Sequence, residues 1–374
     1  MRGSYKVIDA DRHVIEPRDI WERYLEAPFK DRAPRWLGDS LATEVAGQST
    51  FSGGADLLRA LGPSERFAEA RAAGFSPRSN IQDMDREGVD VAVLFPSAGL
   101  HVIWADHVPL DLAAAICRAY NNWLTDYCAH DRDRLKGLAL LPVHDATEAA
   151  KELRRAREQG LAGGVVRPNP VRKRQLCNRD YWPLYAEAER LEMPLWIHGG
   201  PGCVLPEIGV KDITGAEHPE GVVRFEGAFT RAAISHPLEL MGAMGSLAAE
   251  EPMMDFPGLR AVFAGGGCGW LHFWADRLDD DYFNRGEDAV TRLKPGHYIA
   301  RQASVVARAD ECMLPDLAGE FQDNLLWGSD YPRPELTCFP DELDALIQNK
   351  RLSERYKRKI LWDNAARLLK LTTS

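Results

Sequence analysis

Short apolar runs that end in polar or glycine-rich turns alternate along the chain with longer stretches of helical periodicity. Eight runs read as strands: Tyr5–Asp9, Val89–Phe95, Leu138–Leu141, Gly164–Arg167, Leu195–His198, Arg260–Ala264, Tyr298–Ala303 and Leu325–Gly328. Between them, Leu110–Ala129 sets Leu112, Ile116, Ala119, Trp123, Leu124 and Tyr127 at helical spacing, and Ala146–Gln159 is closed by Gly160 as a C-cap. A parallel crossover takes a dozen or more residues and is usually helical, so repeated units of this kind predict a parallel sheet with helices outside it. Eight of them predict an α/β fold of the closed (β/α)8 TIM barrel type. An open doubly wound sheet would carry a phosphate-binding glycine turn after its first strand, and Asp9-Ala10-Asp11-Arg12-His13 is nothing like G-x-G-x-x-G.

Two segments break the alternation: about 30–80, rich in Gly, Pro and Ser, and about 199–235, which opens with Gly199-Gly200-Pro201-Gly202. Both follow barrel strands, the first and the fifth. Loops after strands surround the active face of such a barrel, so both insertions read as lids or substrate walls of a single domain spanning 1–374.

Composition narrows the partners. The 374 residues carry 46 Lys and Arg against 56 Asp and Glu, a net charge of −10, with 45% apolar and 9% aromatic residues. No run approaches the ~18 apolar residues of a membrane span, and the apolar content is too high for a disordered chain. Nucleic acid is a poor partner: the basic runs Arg172-Lys173-Arg174 and Lys357-Arg358-Lys359 read as solvated charge. Seven scattered cysteines without a C-x-x-C pair read as reduced thiols, and a start without signal-peptide features predicts a cytoplasmic protein.

Barrel enzymes place reactive groups at the C-terminal ends of strands. Here the first strand runs into Asp11-Arg12-His13, the fifth ends at His198, and the eighth ends in Gly328-Ser329-Asp330. Asp11 and His13 are two apart, which on an extended segment sends both side chains to one side. Taken singly, each reads as readily as a helix cap or a hydrogen-bonded core group. Together, two imidazoles and two carboxylates from three distant strands predict a mixed N/O site for Zn or Mn.

Val7-Ile8-Asp9-Ala10-Asp11-Arg12-His13-Val14-Ile15-Glu16-Pro17, Leu195-Trp196-Ile197-His198-Gly199-Gly200 and Leu326-Trp327-Gly328-Ser329-Asp330-Tyr331-Pro332 resemble, in that order, the amidohydrolase-related family that includes aminocarboxymuconate-semialdehyde decarboxylase. The resemblance covers nearly the whole chain. It implies a metal-dependent (β/α)8 barrel, a homodimer, and Asp11, His13, His198 and Asp330 as the metal ligands. In many relatives the first of these positions is His or Glu. The superfamily's metal-bridging lysine of the fourth strand has no counterpart in Val165-Val166-Arg167, so one divalent metal is expected. Relatives also place His or Glu at the start of the glycine turn after the sixth strand, where this chain has Ala264-Gly265-Gly266-Gly267. His236 is the candidate substitute from the preceding loop or helix, with a helix cap as its other reading.

Arg12, Arg167, Arg301 and Arg333 lie close to strand ends, and a guanidinium grips a carboxylate through two parallel hydrogen bonds. Arg167, Arg333 and Arg12 are therefore candidate contacts for a small-molecule carboxylate substrate, with Trp196 lining an aromatic pocket. The alternative for each arginine is a structural ion pair. Trp270 to Leu278 has helical spacing, which suits outer-ring packing or a subunit interface. No G-x-S-x-G elbow supports a serine nucleophile.

These features predict a non-oxidative decarboxylase of an aromatic or unsaturated carboxylic acid, with Asp330 and His236 as catalytic groups. The alternatives are a metal-dependent hydrolase of an amide, lactone or ester, and a barrel with lost or altered catalysis.

Overall fold

The computed structural model describes residues 2–37, 43–49, 65–199, 228–332 and 338–371. In chain order the strands are β1 (Ile8–His13), β2 (Arg35–Trp36), β3 (Thr43–Val45), β4 (Gln48–Ser49), β5 (Val91–Phe95), β6 (Leu135–Leu140), β7 (Gly163–Val166), β8 (Leu195–His198), β9 (Ala261–Ala264), β10 (Ala303–Ala307) and β11 (Leu325–Trp327). Eight of them form one parallel sheet in the order β1-β5-β6-β7-β8-β9-β10-β11, and β2, β3 and β4 make a small antiparallel sheet. The ring closes just past β11: His13 N–H donates to Tyr331 O and Asp330 N–H donates to Asp11 O, both at 2.8 Å. The expected (β/α)8 barrel is therefore present, and its seam runs through candidate site residues.

Most strand expectations fall within a few residues of the observed ones. The exception is Tyr298–Ala303, where Pro295–Gln302 is a helix and the strand begins at Ala303. Pro295 at a first helical position is preorganised for the turn, and Tyr298, Ile299 and Gln302 bury one helical face. Arg301, expected near a strand end, thus sits in the last helical turn beside Gln302. β1 also runs further than expected and includes Asp11, Arg12 and His13.

Helix Leu110–Cys128 packs against β6 with a nearly continuous buried face. Helix Ala146–Glu158 starts on Asp145, whose carboxylate accepts from the Thr147 and Glu148 N–H groups. Parts of both expected insertions (38–42, 50–64 and 200–227) lie outside the described residues, and from Ala228 the second is a helix to Ala248. No described helix is long and apolar enough to cross a membrane. Cys117, Cys128, Cys177, Cys268, Cys312 and Cys338 are free thiols.

Candidate metal centre

The site begins with an irregularity in β1. Asp9 faces Ala92 and Arg12 faces Leu94, so β1 holds one residue more than β5 over the same span. Such a bulge changes the phase of a strand and re-aims its side chains. Here Asp9 and Arg12, three apart, meet in the layer between barrel and helices, while Asp11 and His13 converge on His198. His198 ends β8, and Asp330 stands three residues beyond β11.

The donor atoms lie close together. His13 Nε2 is 3.3 Å from His198 Nε2, 3.7 Å from Asp11 Oδ1 and 3.5 Å from Asp330 Oδ1, and His198 Nε2 is 3.6 Å from Asp11 Oδ1. Ligands held ~2.1 Å from a tetrahedral ion are ~3.4 Å from one another, which matches the spacing among Asp11, His13 and His198; Asp330 comes close to His13 and stands outside that three-residue cluster. The outer nitrogens settle the tautomers. His13 Nδ1 is 2.9 Å from the Pro96 carbonyl, and His198 Nδ1 bonds the Gly199 carbonyl. A carbonyl has no proton to give, so each Nδ1 carries the hydrogen and each neutral ring turns its Nε2 lone pair inward. Two lone pairs aimed at each other beside two carboxylates repel unless positive charge sits among them. A divalent metal, zinc or manganese, fits this donor set.

The surroundings hold the candidate ligands in place. Phe95 forms an apolar floor, its ring centroid 5.7 Å from that of His13, 5.0 Å from His198 and 5.6 Å from Trp196. The buried Glu16 carboxylate accepts from the Ser97, Ala98 and Gly99 N–H groups, which fixes the loop whose Pro96 carbonyl orients His13. Two glycines leave room for the ligands. A Cβ on Gly328 would fall 2.5 Å from Asp11 Cβ. One on Gly265, whose φ is +81°, would fall 2.9 Å from His198 Cε1.

The other candidates are placed differently. Arg12 is fully buried: its guanidinium pairs with Glu87 at 2.6 Å and Asp9 at 3.2 Å, donates to Asn80 Oδ1 at 2.7 Å, and lies 3.6 Å over the Tyr331 ring. Burial alone would lower its pKa; the Glu87 and Asp9 carboxylates overcome that and keep it charged. It is a core ion pair rather than a substrate contact. Trp196 is also core, packed into the space that Gly163 leaves. Arg167 is buried and committed to Asp106 at 2.7 Å and to the Asn169 and Pro170 carbonyls. Arg333 lies outside the described residues. His236, half-buried on helix Ala228–Ala248, packs against Gly199 and Gly266, just past the ends of β8 and β9.

Sequence reasoning missed Asp9, Glu16 and Phe95. Asp9 and Glu16 stand in the same stretch of sequence as Asp11 and His13, but nothing in the pattern of polar positions distinguishes an acid that bonds the neighbouring backbone from one that faces the candidate metal centre.

The sequence profile of the Amidohydrolase family matches residues 8–371. A gamma-resorcylate decarboxylase of Rhodococcus jostii is 36% identical over 326 residues, covering 78% of this chain and 88% of its own. A 2-amino-3-carboxymuconate-6-semialdehyde decarboxylase of Dictyostelium discoideum is 27% identical over 82% of this chain and 79% of its own. Among solved structures, an amidohydrolase of Mycobacterium avium subsp. paratuberculosis superposes with a TM-score of 0.77 at 23% identity, covering 98% of this chain and all of its own. A dihydroxybenzoic acid decarboxylase of Polaromonas, solved with manganese and 2-nitroresorcinol, gives 0.66 at 18% identity, covering 99% and 98%. With the profile spanning the barrel from β1 to the C-terminal helix, the chain belongs to the Amidohydrolase family.

Proposed function

We propose that the chain is a metal-dependent, non-oxidative decarboxylase of an aromatic or unsaturated carboxylic acid. The observation that carries this reading is the convergence of Asp11, His13 and His198 donor atoms, with Asp330 beside His13, at the mouth of a barrel whose relatives are named as decarboxylases. Asp11, His13, His198 and Asp330 would hold one divalent ion. When bound, it would supply positive charge that attracts the substrate carboxylate and stabilises negative charge on the substrate.

The chain's own groups do the rest. Asp330 is placed to hold a proton and deliver it to the ring or alkene carbon that carries the carboxylate. That carbon–carboxyl bond then breaks, its electron pair restores the π-system, CO2 leaves, and solvent returns the proton to Asp330. His236, packed against Gly199 and Gly266, is the second proton-handling group on this face. Phe95 keeps the underside of the site apolar, so charges above it interact strongly. A second anionic group on the substrate would meet Arg167 once Asp106 releases it, and Arg333 is the other candidate. We also read the chain as a cytoplasmic homodimer, with Phe273 and Phe283, 61% and 74% exposed on helix Leu271–Arg285, offering an apolar face to a second copy; sedimentation tests the assembly.

The experiment is to load the protein with manganese or zinc and supply hydroxybenzoates, 2,6-dihydroxybenzoate among them, beside amides and lactones. CO2 release with one solvent deuteron at the vacated carbon is expected. Hydrolysis products alone would move the chain to the hydrolase reading.

A further inference from the structure

Asp9 is fully buried and meets both chain segments that carry the carboxylate ligands. Its Oδ1 accepts the Asp11 N–H at 3.1 Å and the Ser329 N–H at 3.0 Å. Its Oδ2 accepts the Ser329 hydroxyl at 2.6 Å and Arg12 Nη1 at 3.2 Å. The first bond stabilises the bulge that aims Asp11. The next two grip the residue immediately before Asp330.

Asp330 needs that grip. Its φ is 55°, in the left-handed region that disfavours residues with a side chain, Asp less than most, so local hydrogen bonds must hold it there. The Ser329 hydroxyl donates to Asp9 and accepts the Tyr331 N–H at 3.0 Å, so one oxygen fixes the backbone on both sides of Asp330. Asp330 N–H in turn donates to Asp11 O at 2.8 Å. Arg12 cannot drift from Asp9, because Glu87, Asn80 and the Tyr331 ring enclose it. The contacts to Asp11, Ser329 and Arg12 use Asp9's roughly four lone-pair sites, so it has none left for an ion.

We propose that Asp9, with Arg12 as its fixed counterion, is a positioning residue that sets how the Asp11 and Asp330 carboxylates are presented to the metal. The proposal rests on the reading of Asp11, His13, His198 and Asp330 as the donors. Its mechanism is geometric: one carboxylate ties the start of the barrel to its last strand at the point where the ring closes, and the two acidic ligands inherit their relative placement from it.

The test is titration of the metal-free full chain with cobalt(II) chloride, read by the visible absorption of bound cobalt, whose intensity and position report coordination geometry. Wild type, Asp9→Asn and Ser329→Ala are compared, with far-UV circular dichroism checking the fold of each. Asp9→Asn keeps the volume but loses the charge and one acceptor. Wild type is expected to bind cobalt with a saturating band, Asp9→Asn to bind about 10-fold or more weakly with a shifted band, and Ser329→Ala to move the same way by a smaller factor. If Asp9→Asn does not fold, Ser329→Ala decides. Unchanged affinity and spectrum in the folded variants would overturn the proposal and leave the metal site standing, with His198→Ala showing the outright loss of a donor. A wild type that gives no cobalt band would overturn the site reading and this proposal together.

Discussion

His13 and His198 face each other through Nε2 at 3.3 Å, each with its Nδ1 turned to a backbone carbonyl. Neither ring has a proton at the contact in its neutral form, so two lone pairs oppose each other there and a cation between them would relieve the repulsion. The protein should therefore hold about one zinc or manganese ion per chain and lose stability when a chelator removes it. An ion present at ~100 times its Kd adds ~2.7 kcal/mol. Calorimetry with and without chelator measures the drop in Tm, expected to be a few degrees. In His198→Ala the chelator should change nothing. A wild type equally indifferent to chelator would sink the metal assignment.

Gly265 lies under the same ring. Its φ is +81°, and a Cβ added to it would come within 2.9 Å of His198 Cε1, which leaves no space for a side chain unless His198 moves. Gly265→Ala should cost ~1–2 kcal/mol through the left-handed backbone and also weaken metal binding. Gly265→His should do the same and gain no activity. The glycine is then a requirement of the present ligand arrangement, and the reading of a barrel that lost its catalysis by losing this side chain falls. A Gly265→His variant with higher kcat would restore that reading.

Arg167 reaches substrate only if Asp106 releases it. The pair is 2.7 Å apart, with the arginine side chain 6% exposed and the aspartate 47%. Asp106→Asn keeps the shape and removes the competing charge, so KM for a substrate with a second anionic group should fall severalfold, about 1 kcal/mol, with kcat unchanged. Arg167→Lys, which loses the planar fork, should raise KM. If neither variant shifts KM, Arg167 is only a clamp between loops.

The barrel was legible because βα alternation is a repeated signal, and a single misplaced strand, Tyr298–Ala303, does not change the count. The candidate donor cluster of Asp11, His13 and His198 was legible because strand ends are where polar residues interrupt apolar runs. Arg12 and Trp196 were misread for one reason. Position near a strand end says nothing about which side of the sheet a side chain takes, and the β1 bulge, invisible in the sequence, turns Arg12 toward Glu87 and Asn80. Asp9 was hidden by the same bulge, since simple alternation would have set it beside Asp11 and His13.

His144, just past β6, gives the pH dependence a sign. Burial lowers its pKa from 6.5 to about 4, against a bond in which Nε2 donates to the Ala105 carbonyl at 2.9 Å. Between those values the unfolded chain takes up a proton that the folded chain refuses. The contribution of His144 is thus whole above pH 6.5 and is lost as pH falls toward 4, by up to about 3 kcal/mol. Urea unfolding at pH 7 and pH 4.5, with chelator present so that metal release does not enter, should show this loss in wild type on top of the carboxylate contributions. In His144→Gln, whose amide can still donate to Ala105, the difference between the two pH values should shrink by about 2–3 kcal/mol. Parallel pH profiles for the two proteins would mean that His144 is protonated in the fold as readily as in water, and that its buried position is not what keeps it neutral.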